Sequence, residues 1–150
     1  PEIQFDEANI DAMTMWLLKN PFNYDVLVAP NLYGDVISDL CAQMVGGLGF
    51  GCSGNIGDRL AVFEPTHGSA PKYAGQYKVN PIATILAAKM MLDWLGEKDK
   101  AARLELAVGE VIKDGRVRTY DMGGKNSTLE MGKAIAAAVG ETKPVGAGRR

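Results

Sequence analysis

The sequence predicts an α/β fold, and three observations carry that prediction. Two short apolar runs, "YDVLVAP" (24–30) and "LAVFEP" (60–65), are bounded by turn residues and read as strands. Segments of helical period lie before, between and after them, so strands and helices alternate along the chain. The composition, 47% hydrophobic and 23% charged over 150 residues, suits a globular body with a sizeable core rather than a disordered or membrane-embedded chain.

The elements follow in order. Ile10, Met13 and Leu17 recur at helical spacing over 8–19, and Pro21 ends that helix because proline disfavours helix in the residue before it. Residues 24–30 follow as a buried strand. Ile37, Leu40, Cys41 and Met44 then share one helical face, opposite Asp35, Asp39 and Gln43, which makes 35–45 an amphipathic helix. "GGLGFGCSGNIGD" (46–58) is too glycine-rich to be regular and reads as a loop with close backbone approaches.

After the second strand comes a long polar loop, "THGSAPKYAGQYKVNP" (66–81), of a length that is usually functional or disordered. Asn80 is placed to cap, and Pro81 to open, the helix "IATILAAKMMLDWLG". That helix is apolar nearly all round, so it should be buried, with Met90, Met91 and Trp94 in the core. Residues 98–114 make the next helix, with Ala101, Leu104, Val108 and Val111 inward and Gly115 as the stop. "STLE" (127–130) is a capping box opening the last helix, which Gly140 ends. Residues 141–150 carry no apolar periodicity and read as a frayed tail. The start at Pro1, with no initiator methionine or targeting pattern, reads as that of a processed chain or a fragment.

The formal charge of −2 and the lack of a basic block argue against a nucleic-acid partner. Cys41 and Cys52 have no metal-ligand spacing and read as buried reduced thiols, which fits a cytoplasmic setting. "NLYGDVISD" (31–39) poses a sharper question. Asp35 and Asp39 sit four apart, and like charges at that spacing repel by roughly 0.2–0.5 kcal/mol on a helix. Spacing alone leaves two readings open. Asp35 could be a helix-start residue stabilised by the macrodipole with Asp39 a solvated charge, or both could serve a bound cation.

"NLYGDVISD", "GNIGD", "FEPTHGSAPKYAGQYKVNP" and "TYD" together resemble, in this order, the β-decarboxylating dehydrogenases of the isocitrate/isopropylmalate dehydrogenase family. The resemblance runs from about residue 1 to about residue 140. Within the family, "APKYAGQYKVNP" is most similar to the bacterial isocitrate dehydrogenases. It implies the C-terminal portion of the family's three-layer helix-sheet-helix fold. Residues 1–45 would end the small dimerisation region, 46–140 would belong to the large cofactor-binding domain, and 141–150 would be a tail.

The resemblance also implies a site. Asp35 and Asp39 would be ligands of Mg²⁺ or Mn²⁺, and Asp11 would reach the same cation from the neighbouring subunit of a homodimer. A hard octahedral cation suits such an oxygen-only set. "HGSAPKY" would be the adenosine-binding loop, replacing the usual dinucleotide fingerprint, with His67, Gly68, Ser69, Ala70, Pro71, Lys72 and Tyr73 at the cofactor. Asn80 would both cap its helix and touch adenine, and Val79 would also lie at the cofactor. Glu64, Leu48 and Gly49 would lie near the nicotinamide side.

Lys72, Tyr73 and Tyr120 match the NADP-type contacts to the 2′-phosphate, so NADP is expected with NAD possible. Gly124 departs from the pattern, since the similar bacterial enzymes carry an arginine there. Lys125 beside it is a partial substitute, lacking the guanidinium fork. No catalytic residue falls in this chain. The family's substrate-binding arginines and serine, and its catalytic tyrosine and lysine, lie upstream of Pro1, so the chain alone should be inactive. The implied reaction is oxidative decarboxylation of isocitrate to 2-oxoglutarate and CO₂. The alternatives are 3-isopropylmalate or homoisocitrate dehydrogenase, or a non-catalytic regulatory subunit. Retention of Asp35, Asp39 and His67 disfavours the last.

Overall fold

The computed structural model describes residues 3–142. Five helices and one small sheet follow in the order α1 (Ile10–Lys19), α2 (Asn31–Met44), β1 (Cys52–Ile56), β2 (Ala61–Pro65), α3 (Ile82–Trp94), α4 (Lys98–Asp114) and α5 (Thr128–Glu141). This is the α/β class expected from the sequence. Among the described residues α3 packs on the two-stranded sheet, α4 packs on α3 and α5 on α4, while α1 and α2 pack on each other.

The N-terminal third is a helix pair. Leu17 of α1 and Ile37 of α2 are buried where the two helices meet. The segment between them does not form the expected strand. Residues 24–30 carry no regular structure and bend at Asp25, and Val26 and Val28 are 79% and 95% exposed. An apolar, β-branched run becomes a strand only when a neighbouring strand satisfies its backbone groups, and among the described residues none pairs with it. The helical faces chosen by periodicity are also only partly buried. Met13, Leu40 and Cys41 are half-covered, Met44 is exposed, and so are Met15, Trp16, Leu18, Leu32, Tyr33 and Val36.

The glycine-rich stretch is more regular than its composition suggests. Its second half is strand β1, paired antiparallel with β2 from Cys52 opposite Pro65 to Ile56 opposite Ala61. The Gly57 amide donates to the Leu60 carbonyl at 2.9 Å and closes the hairpin turn. Gly54 fits because its α-carbon faces the ring of Phe63, where a Cβ would stand 3.0 Å away. α3 covers one face of this hairpin, with Phe63 against Trp94 at 6.4 Å between ring centroids.

The core lies between α3, α4 and α5, where Ile82, Val108, Val111, Met131 and Ile135 pack together with Leu104 and Met122 beside them. Ala101, Leu104, Val108 and Val111 point inward as their spacing predicts, and Gly115 ends α4 in the left-handed conformation. The placement of Met91 and Trp94 in the core needs correction, for both are about two-fifths exposed, at 42% and 41%. α3 is apolar on all sides, but the described residues cover only some of them. Cys41 and Cys52 are half-buried free thiols rather than fully buried ones, and burial pushes the Cys52 thiol up. The tail expected over 141–150 falls, from residue 143 on, outside the described residues.

The capping box at the start of α5 forms as predicted. Ser127 Oγ accepts from the Glu130 amide, and Glu130 accepts from the Ser127 amide at 2.7 Å. These bonds, the Ser127 backbone donor foremost, hold the Glu130 carboxyl below its ordinary 4.5. A depressed folded-state pKa means the contribution is present above that ordinary value and fades as pH falls below it. Ser127→Ala should lower Tm by roughly 3–6 °C at neutral pH. The gap between wild type and variant should narrow in melts recorded progressively below pH 4.5.

Candidate cofactor and metal sites

The loop 66–81 is shaped by short-range backbone chemistry. His67 is half-buried, and its Nδ1–H donates to the Gly68 carbonyl at 3.0 Å, which leaves Nε2 free of that bond. Ala70 takes a left-handed conformation (φ 44°), and a single 3₁₀ turn, Pro71–Tyr73, follows it. A second non-glycine residue, Tyr77, is also left-handed at φ 49°. Strained residues of this kind persist where surrounding contacts over-determine them, often at ligand clamps. At Tyr77 α5 supplies those contacts. The Thr128 amide donates to the Tyr77 carbonyl at 2.7 Å and the Thr128 hydroxyl to the Val79 carbonyl. Between loop and helix lies a cleft of about 370 Å³ lined by Ser69, Ala70, Tyr73, Tyr77, Lys78 and Val79, large enough for a nucleoside.

Lys72, Tyr73 and Tyr120, matched separately in the sequence, come together at the edge of this cleft. The two tyrosine rings lie 5.9 Å apart, and the Lys72 ammonium stands 4.8 Å from the Tyr73 centroid. Hydrogen bonding and charge from Lys72 hold the Tyr73 phenol below its ordinary 10.0. Partial burial, and then the facing Tyr73, hold the Tyr120 phenol above it. Lys125 is not among the described cations over these rings; Lys78 is.

Asn80 differs in detail from its expected role. It is buried, and its Oδ1 accepts from the Ile82 amide at 3.0 Å, so it caps α3 from one residue further out than expected. Its Nδ2 donates to Asp121 Oδ2 at 3.0 Å, while the Thr119 hydroxyl donates to the other oxygen of Asp121. The side chain is therefore committed inside the protein. Contact with adenine would fall to the backbone of Asn80 and to Val79. Gly49 joins the same knot, for its carbonyl accepts from the Ala83 amide at 2.9 Å. A Cβ on Gly49 would stand 2.6 Å from Asp121 Oδ2. The knot holds the 46–51 loop, the end of the 66–81 loop and the 119–121 turn together. Leu48 beside it is exposed, and Glu64 faces solvent on β2, where Asn55 donates to it at 3.4 Å.

The motifs do not single out Lys78, Thr119, Asp121 or Thr128. Thr128 was visible only as part of a cap, and Asp121 only as part of "TYD". The contacts of Lys78, Asp121 and Thr128 depend on segments far apart in the chain, whereas Thr119 bonds within its own turn.

The three aspartates are not assembled in one place. Asp35 and Asp39 lie one turn apart on the exposed face of α2, while Asp11 is exposed in the first turn of α1. No described trio of His, Cys, Asp or Glu residues could by itself hold a metal ion. α2 begins at Asn31, so Asp35 is not in the first turn, and the macrodipole reading loses its basis because that effect fades within a turn. Among the described residues neither Asp35 nor Asp39 forms an ion pair. Two adjacent, uncommitted carboxylates fit one side of a hard-cation shell and leave the other ligands to come from elsewhere.

Comparison with known proteins gives these features a setting. The isocitrate/isopropylmalate dehydrogenase family model matches residues 1–135. A probable mitochondrial NAD-type isocitrate dehydrogenase subunit alpha of Caenorhabditis elegans is 50% identical over 93% of this chain and 39% of its own length. The isocitrate/homoisocitrate dehydrogenase of Thermus thermophilus is 49% identical over 93% of this chain and 41% of its own. A crystal structure of isocitrate dehydrogenase from Methylococcus capsulatus superposes with a TM-score of 0.87 at 46% identity, over 93% of this chain and 42% of that one. The chain thus spans about two-fifths of the length of the relatives it matches, and over that span it belongs to the isocitrate/isopropylmalate dehydrogenase family.

Proposed function

We propose that this segment supplies the cofactor cleft and part of the metal site of an enzyme that oxidatively decarboxylates isocitrate, with NADP preferred. The meeting of Lys72, Tyr73 and Tyr120 at the edge of a nucleoside-sized cleft carries this reading. A 2′-phosphate needs cations and hydrogen-bond donors, whereas a site for the free ribose hydroxyls tends to offer a carboxylate. The 66–81 loop binds the adenosine half, and the Gly49–Asn80–Asp121 knot fixes where the nicotinamide-side loop stands relative to it. Residues 46–140 act as the cofactor-binding part, and residues 1–45 as the dimerising part.

Asp35 and Asp39 hold Mg²⁺ or Mn²⁺, with Asp11 supplied by a second copy of the chain. The exposed apolar residues of α1 and α2 suit burial between copies. When bound, the cation polarises the substrate hydroxyl and adjacent carboxylate. The two aspartates orient it through fixed helical spacing, and the cleft aligns the dinucleotide for hydride transfer. The acid–base groups are supplied upstream of this segment, so the segment alone is inactive. No described helix is long and apolar enough to cross a membrane; the cytoplasmic reading is preferred on the free thiols Cys41 and Cys52.

The character of two relatives, an NAD-type isocitrate dehydrogenase subunit and an isocitrate/homoisocitrate dehydrogenase, favours a second reading, an NAD-linked enzyme or one acting on homoisocitrate. Steady-state assays of the complete enzyme with isocitrate, homoisocitrate and 3-isopropylmalate, each with NADP and NAD, separate the readings. The highest kcat/KM is expected for isocitrate with NADP, with 2-oxoglutarate as product. A higher value for either other acid would overturn the substrate assignment.

A further inference from the structure

Lys78 has no role in the motifs, yet it occupies the centre of the aromatic cluster. Its ammonium lies 4.8 Å from the Tyr120 centroid and 5.1 Å from that of Tyr73, so it spans both rings where Lys72 meets only one. Among the described residues neither lysine pairs with a carboxylate. Asp121, next to Tyr120 in sequence, is turned to Asn80 and Thr119 instead. Two ammonium groups drawn to one ring repel each other, and an oxyanion bearing about two negative charges would offset that repulsion.

The geometry at Gly124 closes off another source of charge. The turn 118–126 is tied by the Asn126 amide donating to the Arg118 carbonyl and the Gly124 amide donating to the Thr119 carbonyl, both at 2.9 Å. It brings Gly124 against the backbone of Arg118, where a Cβ would stand 2.1 Å from the Arg118 carbonyl oxygen. That contact is with backbone, which cannot swing aside. Residue 124 can therefore carry no side chain in this turn, cationic or otherwise.

We propose that Lys78 is a specificity-determining residue, the second cation that reads the 2′-phosphate, with Lys72 as the first and the two tyrosine rings fixing both ammonium groups. This rests on the NADP reading above and goes beyond it in assigning the charge that position 124 cannot supply. Lys78 lines the cleft itself, together with Tyr73, whereas Lys72 stands at its edge.

The test is the affinity of the complete enzyme for 2′,5′-ADP and for 5′-AMP, two probes differing only by the phosphate in question, measured by calorimetry. Wild type should bind 2′,5′-ADP more tightly. Lys78→Met, which keeps the apolar stem and removes the charge, should weaken 2′,5′-ADP by roughly tenfold or more and leave 5′-AMP unchanged. Lys78→Arg should restore most of the loss. A Lys78→Met variant that keeps the preference, while Lys72→Met abolishes it, would overturn the assignment of Lys78 alone. Equal weakening of both probes would reduce Lys78 to a packing residue. Failure of wild type to discriminate between the probes would overturn the NADP reading and this assignment with it. Gly124→Arg should lower thermal stability without sharpening the preference. A stable Gly124→Arg protein with a stronger 2′,5′-ADP preference would show that position 124 is open after all.

Discussion

Asp35→Asn in the complete enzyme is expected to lower kcat by on the order of 100-fold or more, and to raise the Mn²⁺ concentration needed for half-maximal activity. The substitution replaces an anionic oxygen with a neutral amide of nearly the same shape. Asp35 stands exposed on the second turn of α2, and its carboxylate takes part in no described hydrogen bond or ion pair. Folding should therefore be untouched, and relief of the repulsion with Asp39 could even raise Tm slightly. Metal titrations followed by rate, alongside a thermal melt, check both halves of this expectation. An unchanged Mn²⁺ dependence would remove Asp35 from the metal site, and would also reopen the reading of the chain as a regulatory subunit.

The second large effect concerns the dinucleotide. Lys72→Asp combined with Tyr73→Ile should raise KM for NADP at least tenfold more than KM for NAD. The double change removes one ammonium and one ring of the cluster and sets a carboxylate where the 2′-phosphate would approach. The 3₁₀ turn carrying both residues is closed by backbone bonds, Tyr73 to Ala70 at 2.9 Å and Ala74 to Pro71 at 3.1 Å, so the loop should keep its course. Tyr73 is half-buried against Tyr120, and some general loss for both cofactors is expected from Ile in its place. The diagnostic quantity is the ratio between cofactors. Equal losses would show that these side chains do not discriminate the 2′-phosphate.

Features decided within a few residues were legible in the sequence. The Ser127–Glu130 box and the Gly115 stop depend on contacts one turn apart, the inward stripe of α4 shows in its helical spacing, and the structure bears them out. Features decided by distant partners were not. Residues 24–30 have the composition of a strand but no described neighbour to pair with, whereas 52–56 have the composition of a loop and do pair. Met91 and Trp94 look like core residues because α3 is apolar throughout, but which side of a helix is covered depends on what packs there. The cofactor cluster divides along the same line. Lys72, Tyr73 and Tyr120 belong to quotable motifs, while the place of Lys78 follows from a loop that brings two rings together. The obstruction at Gly124 likewise appears only once the 118–126 turn has closed.

We propose that one cation is shared between two copies, held by Asp35 and Asp39 of one and Asp11 of the other. Subunit mixing tests it most directly. Complete enzymes carrying Asp11→Asn or Asp35→Asn should each be nearly inactive and should each sediment as dimers. Unfolding and refolding them together yields mixed dimers in which one site receives both substitutions and the other receives neither. Activity should then recover to roughly a quarter of wild type, as random pairing across a two-fold axis requires. Recovery at that level would establish that Asp11 acts across the interface. No recovery from a mixture shown to contain mixed dimers would contradict the shared site, and would place Asp11 either in its own subunit's site or outside the metal site altogether.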